Sequence, residues 1–326
     1  MPPSLSRERL QALLGAAPRV RVAVIGDAML DVYLRGEVER ISPEAPVPVV
    51  RVRERSQALG GAANVTQNVA ALGAKCELVA ALGRDPAAQA VRALLSKLGA
   101  DQRSLVDVAR PTTTKTRIVA RAQQVVRVDE EDDGDVSGAE VDALLGATRR
   151  AIADADAVIL EDYNKGVLVP PVIDAAMRAA RERGIPVVVD PKYRNFFKYR
   201  GATIFKPNRR ELEAALGAAM DLESPRALHD VLDRLGVAHL LLTLGEHGMA
   251  LVESSGAIHR VATTARAVYD VVGAGDTVTA FLAVMLAAGA TPLEAAIIAN
   301  YAAGVEVGKL GAATVSAEEV LAAFGE

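Results

Sequence analysis

The 326-residue chain contains no tryptophan, six tyrosines, five phenylalanines and a single cysteine. Aromatic residues at 3% leave no platforms on which the bases of a single-stranded nucleic acid could stack. The one cysteine, Cys76 within "KCELVAAL", excludes a disulfide inside the chain, and its apolar setting suits a small core residue better than a nucleophile. The four histidines, His229, His239, His247 and His259, fall in no zinc-ligand spacing. Neither sign of charge dominates. The 37 Lys and Arg against 41 Asp and Glu give a formal net charge of -4, so no basic surface points to nucleic acid. No apolar run stays free of charge for the ~20 residues of a membrane span. The N-terminal "MPPSLSRERLQALLGAAP" lacks the apolar core of a signal peptide and reads as a short amphipathic helix capped by Ser4 or Ser6. These absences point to a soluble, cytoplasmic protein that needs neither nucleic acid nor membrane.

What the chain does have is hydrophobic mass, 51% of its residues, in a regular rhythm. Strand-length apolar runs such as "VRVAVIGD", "CELVAALG", "DAVILEDY", "IPVVVDPK", "ATIFKPN" and "HLLLTLGEHG" alternate with amphipathic helical stretches. The strand runs lack period-two alternation, as expected of a sheet covered on both faces. The predicted fold class is α/β, a doubly wound and mostly parallel sheet. Two stretches break the rhythm with β-type residues and no crossover helix. They predict lid segments at about 32–56 and 112–130, inserted in a single domain spanning 1–326 and forming a small projecting β-sheet. Such a flap needs a second layer for its apolar face, supplied by the ligand site, by the same flap of another subunit, or by both.

The stretch "DVVGAGDTVTAF" places two glycines and an aspartate at the start of a buried helix. A helix N-terminus has unpaired N–H groups and a partial positive charge, and glycines let an anion approach them. Gly273, Ala274 and Gly275 therefore suit a phosphate, with Asp276 placed to take a proton from an attacking hydroxyl. The plainer alternative is a tight turn with a helix-start carboxylate. It is not a Walker A loop, since no GK[ST] follows, nor a dinucleotide fingerprint.

Four motifs together resemble the ribokinase-like sugar kinases of the phosphofructokinase-B group. "VVGAGDT" is similar to their C-terminal signature and "GGAANVTQNVAALGA" to their N-terminal one. "KPNRRE" resembles their Asn-x-x-Glu motif and "TLGEHG" their Thr-x-Gly-x-x-Gly turn. A narrower resemblance, carried by "RISPEAPVPVV", "GGAANV", "DYNKG", "DPK" and "VGKLGAATVS", is to bacterial D-glycero-β-D-manno-heptose-7-phosphate kinases. These phosphorylate the anomeric hydroxyl to the 1,7-bisphosphate, a precursor of ADP-heptose and the lipopolysaccharide core. Some relatives carry a fused nucleotidyltransferase domain, and this chain reads as a kinase-only form. One departure is Ala280 and Phe281, where the family often has a small pair with glycine.

The resemblance implies ATP and Mg²⁺ as cofactors, Asp276 as catalytic base, and Gly273, Ala274 and Gly275 as the anion hole. It implies that Asn208 and Glu211 place Mg²⁺ through water, although Asn-x-x-Glu at a helix start is also a capping box. Thr243, Gly245 and Gly248 are expected to contact the nucleotide, or to form only a hairpin turn, and Asn300 to line the adenine pocket. Asp27, Asp31, Gly60, Gly61, Asn64 and Asp162 are expected at the sugar, because doubly wound folds bind ligands at the carboxyl ends of strands. The sugar phosphate needs cations, with Lys192 first, then Arg117, and Lys165, Lys115 and Arg194 as further candidates. A homodimer through the lid follows on this reading. Two alternatives stay open: a kinase for another sugar or sugar phosphate such as fructose 1-phosphate or ribose, and a non-catalytic sugar- or nucleotide-binding protein on the same fold.

Overall fold

Helix α1 (Arg7–Ala16) opens the chain, and the Ser6 hydroxyl caps it by accepting the Arg9 N–H. Ser4, the other expected cap, lies outside the residues that the computed structural model describes, which are 5–121, 123–265, 268–309, 311 and 313–324. Strand β1 (Arg21–Gly26) is followed by two long strands, β2 (Ala28–Ile41) and β3 (Pro48–Gly61), then by α2 (Ala62–Ala71), β4 (Lys75–Leu82), α3 (Pro86–Lys97) and β5 (Leu105–Asp107). A second pair, β6 (Thr114–Ala120) and β7 (Gln123–Glu130), precedes α4 (Ala139–Ala153), β8 (Ala157–Glu161), α5 (Pro170–Arg183) and β9 (Val187–Asp190). Then come β10 (Ile204–Phe205), α6 (Arg209–Leu216), α7 (Pro225–Leu235), β11 (His239–Thr243), β12 (Met249–Glu253) and β13 (Ile258–Val261). Helices α8 (Ala274–Ala287), α9 (Pro292–Glu306) and α10 (Ala317–Ala323) close the fold. The expected strand "ATIFKPN" shortens to two residues, since Pro207 has no N–H for the ladder.

Nine strands form one sheet in the order β13-β12-β11-β10-β9-β8-β1-β4-β5. It is parallel apart from the antiparallel edge strands β12 and β13, which the apolar runs did not announce. Both faces are covered, which explains the unbroken apolar runs. Along β1, Val22 and Val24 join one core with residues of α1, α2, α8 and α9, while Ala23 and Ile25 join a second core with residues of α4 and α5. After β1 the chain builds outward first to β4 and later to β8, on opposite sides. That reversal makes the carboxyl ends of β1 and β8 the switch point at which sheets of this kind bind ligands.

The second sheet has the order β3-β2-β6-β7, with β2 and β6 parallel and both outer pairs antiparallel. Paired residues share a face. One face carries Asp31, Lys115 and Asp129 in one row and Tyr33, Arg117 and Arg127 in the next. The other carries Val32, Thr116 and Val128, then Leu34, Ile118 and Val126. Val126 and Val128 on that apolar face are 45% and 47% exposed. Val125 falls at a register shift between β6 and β7, so side-chain alternation along β7 is broken there. Among the described residues no helix is long and apolar enough to cross a membrane.

Gly26 ends β1 opposite Glu161 of β8, and a Cβ at Gly26 would lie 2.0 Å from the Glu161 carbonyl oxygen. No side-chain rotation relieves a clash with backbone. Gly26→Ala is therefore expected to part these strands and lower stability by about 1–3 kcal/mol. Urea unfolding of the variant beside the parent checks this, and equal midpoints would refute it.

Candidate active site

Helix α8 begins beside the carboxyl ends of β8 and β9. Gly273, its N-cap, has φ 97°, a left-handed conformation that side chains disfavour. No side chain caps this end, so the N–H groups of Ala274 and Gly275 have no helical acceptor. After Asp276 the helix turns apolar and buries Val278 to Met285, which pins its start against the sheet. Asp276 is 5% exposed. Its Oδ2 accepts Asn64 Nδ2 at 2.7 Å and its Oδ1 accepts the Tyr163 hydroxyl at 2.9 Å. Asn64 comes from α2. Asn68 steadies it by donating Nδ2 to the Asn64 carbonyl at 3.0 Å, while its own Oδ1 accepts the Thr277 hydroxyl at 3.1 Å.

Three carboxylates meet here. Glu161 ends β8, Asp190 ends β9, and one oxygen from each lies within 4.8 Å of the others and of Asp276. Like charges this close cannot all be ionised. The Lys206 ammonium, 2.8 Å from Asp190 Oδ2, neutralises one. Glu161 is fully buried with no hydrogen-bond partner on either oxygen. Burial first, then the charges of Asp190 and Asp276, push its pKa well above the ordinary carboxylate value. Burial also pushes Asp276 up to about 6, with the Asn64 hydrogen bond pulling down and the Asp190 charge pushing up. The three oxygens are close enough together to hold a divalent ion, beside the Lys206 ammonium. Glu161, Tyr163, Asp190 and Lys206 were not anticipated as site residues. Their motifs, "LEDYNKG", "DPK" and "KPN", were visible, but the pairing crosses strands that are far apart in sequence.

The expected sugar residues surround this centre. Asp27 follows β1 and is 1% exposed. Its carboxylate accepts the N–H groups of Tyr163, Lys165 and Val167 at 2.8, 2.9 and 3.1 Å, while burial raises its pKa. Asp31, at the base of the lid, pairs with Arg117. Gly60 and Gly61 stand opposite Met29 and Ala28, between Asp31 and Asp27. Asp162 is different. Its oxygens accept the Tyr199 hydroxyl at 2.6 Å and the Asn164 N–H at 2.7 Å, and at 2% exposure it anchors the loop after β8. Burial pushes it up to about 6.

Every candidate cation already has an anionic partner. Lys165 and Lys115 share Glu131, at 2.7 and 3.3 Å. Arg194 pairs with Asp133 at 2.7 Å. Lys192, the first choice for the sugar phosphate, is drawn instead to Glu211 and sits 5.1 Å from the Tyr163 ring centroid. Burial would depress the Lys192 pKa, but Asp190 and Glu211 outweigh it and hold Lys192 charged.

On the nucleotide side, Asn208 and Glu211 form a capping box on α6, with reciprocal bonds of 2.9 Å. One Glu211 oxygen accepts the Asn208 N–H and the other pairs with Lys192, while the Asn208 amide oxygen accepts the Glu211 N–H, so a cation could meet this pair only through water. Thr243 lies beside Asn208, its N–H bonded to the Pro207 carbonyl at 3.1 Å. Gly245 and Gly248 form the turn between β11 and β12, which is a hairpin. Asn300, on α9, donates Nδ2 to the Ala262 carbonyl at 2.8 Å and so ties α9 to the segment after β13. Ala280 and Phe281, the departure from the motif, are fully buried in α8. Leu310 and Ala312 of "VGKLGAATVS" lie outside the described residues.

Comparisons with known proteins converge on one family. Residues 20–319 match the model of the pfkB family carbohydrate kinases. The chain is 44% identical over 324 residues to the "Bifunctional protein HldE" of Citrifermentans bemidjiense, covering 98% of this chain and 66% of that one. It is 46% identical over 310 residues to the protein of the same name from Caulobacter sp., covering 94% and 63%. The chain thus spans just under two thirds of the length of these curated relatives. Among solved structures, the ribokinase of Arabidopsis thaliana complexed with ribose and ATP aligns with a TM-score of 0.73 at 22% identity, over 94% of this chain and 99% of that one. The phosphofructokinase-2 of Escherichia coli in complex with potassium aligns with a TM-score of 0.76 at 17% identity, over 94% and 98%. These likenesses establish a ribokinase-like α/β fold, and together with the family match they show that the chain belongs to the pfkB family of carbohydrate kinases.

Proposed function

We propose that the protein transfers the γ-phosphate of ATP to the anomeric hydroxyl of D-glycero-β-D-manno-heptose 7-phosphate, giving the 1,7-bisphosphate for ADP-heptose and lipopolysaccharide core synthesis in the cytoplasm. The observation that carries the kinase chemistry is Asp276, a buried carboxylate fixed at both oxygens beside the uncapped start of α8. The choice of acceptor rests on the heptose-kinase motifs and the likeness to the HldE proteins. A phosphorylated acceptor also suits Lys115 and Arg117, which share one face of the lid, with Lys165 on the body.

In this reading other hydroxyls of the sugar lie against Asp27 and Asp31, and the attacking hydroxyl passes its proton to Asp276 as its oxygen attacks the γ-phosphorus in line. The Ala274 and Gly275 N–H groups hold the charge of the migrating phosphoryl group. ADP leaves with the negative charge of the broken bond. Mg²⁺, held through water by Glu211 and Asn208, would supply charge neutralisation of the ATP phosphates. Thr243, Gly245, Gly248 and Asn300 border the nucleotide. The lid covers the acceptor and excludes water, which otherwise competes for the phosphoryl group. Its exposed apolar face, with Val126 and Val128, pairs with that of a second copy.

The acceptor assignment is tested by ADP release with heptose 7-phosphate, fructose 1-phosphate and ribose, with the product assigned by NMR. Turnover confined to ribose would end the heptose reading, and silence with every sugar would favour a non-catalytic binder. Asp276→Asn is expected to cut turnover by at least about 1,000-fold while ATP still binds by calorimetry. Because the base acts only when ionised, activity should fall as pH drops through about 6, the value to which burial pushes Asp276. A pH–rate profile flat from 7 to 5 would contradict that. Replacing Val126 and Val128 together by Asp should shift the solution mass from dimer to monomer in light scattering. An unchanged mass would place any interface elsewhere.

A further inference from the structure

Tyr163 stands at a junction that the functional reading leaves unexplained. It follows β8 by two residues and is partly buried. Its backbone N–H bonds to Asp27 at 2.8 Å, its hydroxyl bonds to Asp276 Oδ1 at 2.9 Å, and its ring lies under the Lys192 ammonium. One residue therefore touches the expected hydroxyl acceptor Asp27, the base, and the lysine paired with Glu211. The ring has little freedom, because the backbone is fixed at Asp27 on one side and Lys192 sits over its face.

The two oxygens of the base are held unequally. Oδ2 is tied through Asn64 and Asn68 to Thr277 on the helix of the base itself. Oδ1 has one partner, the Tyr163 hydroxyl. A carboxylate held at a single oxygen still swings about its Cβ–Cγ bond. Held at both, it offers its remaining lone pairs in one direction only.

We propose that Tyr163 is the positioning residue of the base: its hydroxyl holds the Asp276 carboxylate in the orientation, and in the ionised form, that takes the acceptor's proton. This rests on the assignment of Asp276 as the base. The acceptor O–H bond breaks, the proton goes to the Asp276 carboxylate, the new O–P bond forms, and ADP carries off the electron pair of the old one. Tyr163 keeps its own proton throughout. Burial, and then the charge of Asp276, hold the phenol well above its ordinary pKa, so it remains a donor. A donor of this kind stabilises the carboxylate more than the carboxylic acid.

Other groups act on Asp276 as well. Asp190 from β9 and Glu161 from β8 lie close by, with Lys206 after β10, Asn64 on α2 and, more distantly, Glu306 on α9. None of them is altered when only the phenolic oxygen is removed. The effect of Tyr163→Phe therefore reads out this one hydrogen bond.

In Tyr163→Phe, kcat at pH 7 is expected to fall about tenfold, with KM for ATP and sugar within about twofold. The acid limb of kcat should move up by about one pH unit, because the carboxylate has lost a donor. Incorporation of 3-fluorotyrosine at position 163 keeps the side chain and makes the hydroxyl a stronger donor, so the limb should move down. This second arm retains the ring even where the Phe variant folds poorly. Limbs that stay put in both proteins, with kcat within twofold of the parent, overturn the proposal. Asp276→Asn serves as the reference. If it is inactive while both tyrosine limbs are unmoved, only the role of Tyr163 fails. If it turns over normally, the base assignment fails and the role of Tyr163 with it.

Discussion

Two carboxylates at the carboxyl ends of neighbouring strands and one at the start of a helix have to share too little positive charge. Glu161, Asp190 and Asp276 bring oxygens within 4.8 Å of one another in a buried place, and the rest of the site follows from how that conflict is relieved. Lys206 takes Asp190. Glu161, with no hydrogen-bond partner, is pushed toward its neutral form by burial. Asp276 is left as the one anion without a cation of its own, held by two neutral donors, Asn64 and Tyr163. An ammonium partner would have stabilised its charge so well that it could not act as a base near neutral pH. Neutral donors orient it while leaving it basic, and burial does the rest.

The fold delivers these groups by repeating one device. Parallel strands end at the same edge, so β8 and β9 deposit Glu161 and Asp190 side by side, and Asp27 follows β1 between the two halves of the sheet. Close approach of β1 and β8 at Gly26 sets the width of that edge. Helix α8 then enters end-on, bringing its open N–H groups and Asp276 together. Its apolar body, buried against the sheet, holds that end in place.

Much of this was legible in the sequence wherever the signal is local. The glycine turn at a buried helix, the capping pattern at Asn208 and Glu211, the two β-rich insertions and the unbroken apolar strands each follow from residues close together in the chain. What escaped was non-local. That Lys206 belongs to Asp190, Tyr163 to Asp276 and Lys192 to Glu211 depends on which strands are neighbours, and no spacing encodes it. Asp162 and Asp27 look alike as carboxylates at strand ends, yet one is spent on Tyr199 and the other on three backbone N–H groups. The antiparallel edge of β12 and β13 escaped for a related reason. With helices on both faces, an antiparallel strand there has no wet side to imprint an alternation.

The lid raises a different question of balance. Its inner face is charged but not free: Arg117 sits on Asp31, and Lys115 shares Glu131 with Lys165 of the body. On the proposed reading, a sugar phosphate arriving there finds no naked cations. It exchanges with carboxylates that already hold them, so the gain is the difference between two sets of ion pairs and not the full strength of either. Such an exchange adds little raw affinity but discriminates well, since an acceptor without the phosphate has nothing to offer in return for the pairs it would break. The same pairs join lid to body before the acceptor arrives, through Glu131 between Lys115 on β6 and Lys165 after β8. Binding and lid position are then coupled by construction, because the lysines that would meet the phosphate are the ones that tie the lid down.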